Sequence, residues 1–533
     1  MKQAMTVVVC LTLSQVAWGR YEALANEGKR GLAVRYVDHA LQLKPEEVDL
    51  GNAALLVSEE WSHLVDRRRY LDRLDVMARD IRTELASRRM GIDHRAVGVI
   101  NEYLFEDEKF KPVASASDPN DLFLDTVLDK KRGYCLSLSV LYLSIGERLG
   151  LPLHGVVVPG HFFVRYDDGR TRFNIETTNQ GRSAPDDYYR KQYSVPDDER
   201  TIYLKNLDPL QTLGCFFNNL GNSYVEIGDA EAAMMAFARA VEVTPTLGEA
   251  RTNLGNLFLR SGRVGEAIEE YNAALRINPK DAKTRNNLGN ALGEAGRDNE
   301  AVTEYLYALE LDPDYVEAYR NLAIAYTRQG KYPEALSQLK RAAAGAPKDA
   351  EIQSQMGDVY TRMGDIQTAI GRFNTALRLQ PNLAEAHFGL AVCYNRLGRV
   401  EEEIAAYTKA VSLDPQMAAA WANLGNVYFT RQRYEAAAEH YRRAATLRPD
   451  DASIHYNLGS ACLRQEDFDS ALKAYARAVE LQPDMGDAYY GLAYACYRMG
   501  QFESAWAYLT KARDLGVVVP QEQIDAIQRA LKK

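Results

Sequence analysis

At 533 residues the chain is too long for one hydrophobic core, so at least two domains are expected. With 46% hydrophobic and 26% charged residues it has the balance of a soluble globular protein. The net charge of −9 argues against a dedicated nucleic-acid binder, which needs a basic face.

The first element is a candidate targeting segment. Lys2 precedes an apolar run from Ala4 to Ala17, and Ala17-Trp18-Gly19 puts small residues where a signal peptidase reads them. Residues 1–19 are read as a secretory signal, which would make the protein periplasmic or extracellular. The alternative is a core helix of a cytoplasmic protein. No other stretch approaches the ~20 apolar residues of a membrane helix, so no transmembrane segment is expected in the mature chain. Residues 20–47 read as a helical lead-in, where Gly28, Ala33, Ala40 and Pro45 keep the spacing of the repeats described below.

Residues 48–208 have a different texture, helix followed by short strands. Spacing predicts one helix from about Asp49 to Ile81 and an amphipathic helix from Leu136 to Leu149 that starts at Cys135. Three strands are expected, Gly155 to Val158, His161 to Tyr166 and Thr171 to Thr177. Turns at Pro159-Gly160 and Asp167-Asp168-Gly169 separate them. Cysteine therefore opens a helix, histidine heads a strand, and an acid lies on the next strand. A helix N-terminus favours the thiolate of Cys135, His161 can serve as its base, and Glu176 can fix the imidazole tautomer. His154 is read as structural.

Four spaced segments carry a family likeness: Asn101-Glu102-Tyr103-Leu104-Phe105, Arg132-Gly133-Tyr134-Cys135, Glu147-Arg148-Leu149-Gly150-Leu151-Pro152 and Pro159-Gly160-His161-Phe162. Together they resemble the SirB-type branch of the transglutaminase-like superfamily. The resemblance implies an α+β, papain-like fold with Cys135 as nucleophile, His161 as base and Glu176 as orienting acid. Many relatives have Asp at the last position, so Glu176 is a departure, with Asn174 as a second candidate. Many members of this branch lack the cysteine and serve as interaction modules.

After Asp208 the chain becomes periodic. Prolines at 245, 279, 313, 347, 381, 415, 449 and 483 follow one another at 34 residues (279 − 245 = 34). Gly221, Gly255, Gly289, Ala323, Gly357, Ala391, Gly425 and Gly459 precede them by a constant interval, and alanines recur at 240, 274, 308, 342, 376, 410, 444, 478 and 512. Small residues let antiparallel helices approach, and proline ends each second helix. These residues resemble the tetratricopeptide repeat, over 213–519 as about nine copies. Residues 520–533 read as a capping helix, which makes the chain mostly α with an α-solenoid.

In that family the first helix of each repeat lines a concave groove. Here it carries Asn219 and Asn222, Asn253 and Asn256, Asn287 and Asn290, then Asn321, Asn423, Asn426 and Asn457. Such amides could hold an extended peptide backbone, or simply join neighbouring repeats. The series lapses at Gln355 and Gly389, and Glu403 replaces a small alanine, where looser packing is expected.

The six cysteines include no CxxC pair, so neither a metal site nor a disulfide framework is expected, and no cofactor is called for. Two functions remain open. One is a protein- or peptide-binding scaffold. The other is a cysteine-dependent peptidase, amidase or transglutaminase whose repeats recruit its substrate.

Overall fold

The computed structural model describes residues 34–62, 65–113 and 118–532. The candidate signal segment, with Gly28 and Ala33 of the lead-in, lies outside the described residues. Two compact units divide between Glu300 and Ala301, well beyond the point where the repeats begin.

The first unit opens with α1 (Val37–Leu41) and α2 (Leu50–Ser62), followed by α3 (Arg67–Ser87). The single helix expected from Asp49 to Ile81 is thus two. Asp66 starts the second by accepting the Arg69 N–H at 3.2 Å, an N-cap that hydrophobic spacing alone does not reveal. After α4 (Ala96–Asn101), β1 (Lys111–Pro112) pairs in parallel with β2 (Arg132–Gly133) across α5 (Leu124–Lys130).

The next helix, α6 (Cys135–Leu149), departs from the expected amphipathic pattern. All but Glu147 and Arg148 of its outer positions are enclosed, and thirteen of its fifteen residues are buried. Its serines mimic a polar face in the sequence. Ser139 and Ser144 satisfy their hydroxyls on the carbonyls of Cys135 and Val140, each at 2.7 Å, and so need no solvent.

Against α6 lies an antiparallel sheet in the order β3 (Leu153–Val158), β4 (His161–Asp167), β5 (Arg172–Ile175). Val158 faces His161 across a two-residue turn, and Gly160 supplies its left-handed residue with φ 72°. Helix α7 (Asp186–Gln192) covers the sheet.

The repeats enter through α8 (Pro209–Glu226), which starts four residues before the predicted boundary. Asp208 and Gln211 form a capping box and Pro209 takes the first helical position. Leu213, Phe216 and Phe217 join the core of the preceding domain, with Phe216 and Phe123 rings 6.4 Å apart. That shared core is why the first repeats belong to the first unit. They continue as α9 (Ala230–Val243), α10 (Gly248–Arg260), α11 (Val264–Ile277) and α12 (Ala282–Glu294).

In the second unit, helical hairpins run from Val316–Arg328 through Phe502–Asp514 and end on Gln521–Leu531. The described residues hold nine hairpins in all, as the period implies. The periodic glycines have a measurable reason. A Cβ on Gly357 would sit 2.7 Å from the Phe373 ring, and one on Gly425 would sit 2.7 Å from Tyr441. In the first unit Gly255 meets Tyr271 in the same way. In these hairpins the aromatic ring of the second helix fills the space that the missing side chain leaves.

Glu403 does not loosen its hairpin. The side chain is buried, and the Asn395 amide donates to its Oε1 at 2.8 Å. Burial pushes its carboxyl pKa up, so the neighbouring amide and easier protonation replace the lost small residue. The predicted capping helix is present, with Ile524 and Ile527 turned onto the last hairpin. Among the described residues no helix is long and apolar enough to cross a membrane.

Candidate active site

Cys135 is the first residue of α6, held there by its neighbours. The Ser137 hydroxyl accepts the Tyr134 N–H at 2.8 Å and donates to the Asp121 carbonyl at 2.9 Å. The Cys135 carbonyl accepts from Ser139 at 2.7 Å and from Thr177 at 3.4 Å, and those two hydroxyls lie 3.0 Å apart. Thr177 follows Glu176, so one hydrogen-bonded triangle ties the helix start to the end of β5. The N–H groups of a first turn have no acceptor within their helix, which leaves positive potential beside the thiol.

His161 is the first residue of β4, and its Nε2 lies 2.7 Å from Glu176 Oε2. A carboxylate can only accept there, so Nε2 carries a proton and Nδ1 is left for the thiol. His161 and Cys135 line the same small cleft. Burial disfavours charging the ring, but the neighbouring Cys135 thiol and the Glu176 carboxylate outweigh it and lift His161 to about 9.

Glu176 absorbs its extra methylene by folding back. Its Oε1 accepts the Thr178 N–H at 3.2 Å and the Thr178 hydroxyl at 2.6 Å, while Oε2 also accepts from Tyr189 at 3.2 Å. Burial raises its pKa, but the bonds from His161 and Thr178 outweigh it and hold the carboxyl below the usual range. Asn174, the other candidate, is committed elsewhere. Its amide binds Arg165 at 2.8 Å, the Ala184 carbonyl at 2.9 Å and Asp186 at 2.7 Å. His154 lies on β3 outside this group, where burial lowers its pKa.

Two aromatic residues escaped the sequence reading. Tyr193 stacks on the His161 ring at 5.0 Å with planes 3° apart, and Tyr189 lies parallel behind it. The Tyr188-Tyr189 pair followed by Tyr193 was the only available signal. A stacked ring limits imidazole rotation and keeps both nitrogens on their partners.

The thiol is 5% exposed and opens on a cleft of about 40 Å³. The far wall of that cleft belongs to the repeats: Asn218, Asn219 and Asn222 of α8, with Leu247 and Glu249 at the start of α10. The volume admits a water or two, so an acyl substrate needs the walls to part.

The predicted asparagines are mostly bonded to the repeats themselves. Asn253 donates to Asn218 at 3.1 Å and Asn222 at 3.2 Å, and Asn287 donates to Asn256 at 3.0 Å. Asn256 also accepts from the Tyr271 hydroxyl at 2.7 Å. In the second unit Asn457 donates to Asn426 at 3.5 Å, Tyr441 donates to Asn426 at 2.7 Å, and Asn423 donates to Tyr407 at 3.1 Å. Asn219 donates to the Cys215 carbonyl at 3.0 Å, while Asn290 and Asn321 also have partners. Each amide has four bonding sites, so these bonds leave capacity for a ligand. The residue that joins the first rung, Asn218, was not among those predicted.

Comparison with known proteins agrees with this division. Residues 68–209 match the transglutaminase-like superfamily. Tetratricopeptide repeat families match 216–247, then 255–296, 292–330, 325–364 and 425–466, with further matches at 355–418 and 456–516. The chain is thus a transglutaminase-like domain followed by tetratricopeptide repeats. A UPF0162 protein of Xylella fastidiosa (strain 9a5c) is 26% identical over 217 residues, spanning 38% of this chain and 73% of that protein. The UPF0162 protein PA3419 of Pseudomonas aeruginosa is 26% identical over 209 residues, 38% of this chain and 75% of its own. Among solved structures, MamA is 28% identical, covering 30% of this chain and 94% of that one at a TM-score of 0.29. YrrB, described as a TPR protein with an unusual peptide-binding site, is 25% identical over 35% of this chain and 96% of its own, at a TM-score of 0.27.

Proposed function

We propose that this chain, a transglutaminase-like domain followed by tetratricopeptide repeats, holds a protein or extended peptide on its repeats and uses Cys135 as a nucleophile for acyl transfer. His161 Nδ1 takes the thiol proton and Cys135 Sγ attacks an acyl carbonyl. As the tetrahedral adduct collapses, the imidazolium returns the proton to the leaving group and a thioester remains. Water or an amine then releases the acyl group. Glu176 keeps the imidazole in the required tautomer and stabilises its charged form. The observation that carries this reading is that Cys135 and His161 line one cleft while Glu176 holds the His161 ring by its Nε2.

A purely binding role has one observation in its favour, the near-closure of the cleft over a thiol that is 5% exposed. Iodoacetamide labelling of the full chain at neutral pH separates the two. An acyl-transfer site predicts that Cys135 is modified first, and about 100-fold more slowly in His161→Ala. Labelling of Cys135 no faster than that of Cys393 or Cys462 removes the catalytic reading. Export of the mature chain belongs to the same proposal, and recovery of the chain only inside the cell with residues 1–19 still attached would refute it.

A further inference from the structure

Glu249 occupies a recurring position at the start of the first helix of a repeat. One period apart stand Lys283, Glu317, Glu351, Glu385 and, further on, Asp487. All five of those are exposed, whereas Glu249 is half-buried. What covers it is the turn that carries the candidate base. Glu249 lines one cleft with Gly160 and His161 of that turn and a second with Tyr203. It lines the same cleft as Cys135, together with Asn219 and Asn222. From there the amides continue outward, since Asn253 is bonded to Asn222, and Asn287 to Asn256.

We propose that Glu249 is a positioning residue that seats the Pro159-Gly160-His161 turn on the first repeats, making the thiol cleft and their asparagine face one binding site for an extended polypeptide. This rests on the acyl-transfer reading for its chemistry, but the seat itself is independent of it. An extended backbone offers donors and acceptors at regular intervals, which a row of side-chain amides meets without reading sequence. The substrate class is therefore an unfolded segment or tail, entering from the repeats and ending at Cys135.

The carboxyl is set among Tyr203, Cys215 of α8, Asp281 and Lys283 at the start of α12, and Cys135 and His161 across the cleft. Burial is the largest influence and pushes Glu249 up to about 7, with Asp281 adding to it and the Tyr203 hydroxyl and Gly160 amide opposing. An acid whose pKa is higher when seated favours the seated state at low pH and loses that advantage as pH rises. The seat should weaken about tenfold between pH 6 and 8, with most of the change complete near pH 7.

Hydrogen exchange on the full chain reads this directly. In the wild type, protection of the Gly160 amide, corrected for intrinsic rate, should fall about tenfold from pH 6 to 8. Glu249→Gln should flatten that profile, and Glu249→Ala should lower protection at every pH. Reduced, carboxymethylated α-lactalbumin, an unfolded polypeptide, should slow both α8 exchange and Cys135 alkylation at least threefold. Unchanged Gly160 protection and pH profile in both variants overturn the seat. Slowing of only one signal by the polypeptide overturns the continuous site. If Cys135 reacts no faster than Cys393, the acyl-transfer reading falls while Gly160 protection still judges Glu249.

Discussion

Cysteine has opposite settings in the two units. Cys135 opens a helix and shares a cleft with a histidine. Cys393 and Cys462 sit inside repeat helices among small residues, where burial raises their thiol pKa. Both settings bury the sulfur, so burial does not distinguish a reactive thiol from a packing one. The partners do. In the second unit, Cys393 meets the Thr361 hydroxyl at 3.4 Å and serves the helix contact, whereas Cys135 lies beside a base already held by an acid. The units likewise use asparagine alike, and in the first unit Asn218, Asn219 and Asn222 also line the cleft.

The comparison breaks first through the repeat packing. Gly357→Val should cost about 1–3 kcal/mol in denaturant unfolding, because its side chain must displace Phe373. It should leave Cys135 labelling unchanged; a joint loss would mean that the two units are not independent. Next, Glu176→Gln should slow Cys135 alkylation about tenfold, or about 1.4 kcal/mol, and leave Cys393 unaffected. It should also lower the His161 pKa from about 9, measured by imidazole NMR. The sign follows from the raised value. Stability from charged His161 is full below its ordinary 6.5 and disappears as pH rises through about 9, so the wild type should lose more stability across that window than the variant.

Smaller effects sharpen the picture. Asn287→Ala removes a bond between repeats and should cost about 1 kcal/mol by thermal unfolding, whether or not a ligand is present. No stability change would return that amide to a purely ligand-facing role. Glu403→Gln keeps an acceptor for Asn395 while removing a buried acid, so it should change stability by less than about 0.5 kcal/mol at low pH and be mildly stabilising at pH 8.

The repeats were legible because their spacing is strictly periodic, and glycines such as Gly255, Gly357 and Gly425 each answer one aromatic ring. The Cys135-His161-Glu176 order was legible because a helix start and two adjacent strands bring those residues together through short connections. Asn174 and Glu176 could not be separated by position, since only the fold back onto Thr178 decides which reaches His161. The burial of α6 was hidden by serines that bond their own helix. Glu249 left no trace at all. Its residue type matches its exposed counterparts, and only the docked His161 turn makes it different. Contacts between segments far apart in sequence have no local pattern to announce them.

Intact-mass spectrometry after brief exposure of the full chain to p-nitrophenyl acetate tests the account most directly. A thiol acyl-transfer site predicts one acetyl adduct, on Cys135, removed by hydroxylamine and absent from Cys135→Ala. No adduct on Cys135, or acetylation spread equally over Cys393 and Cys462, would contradict it.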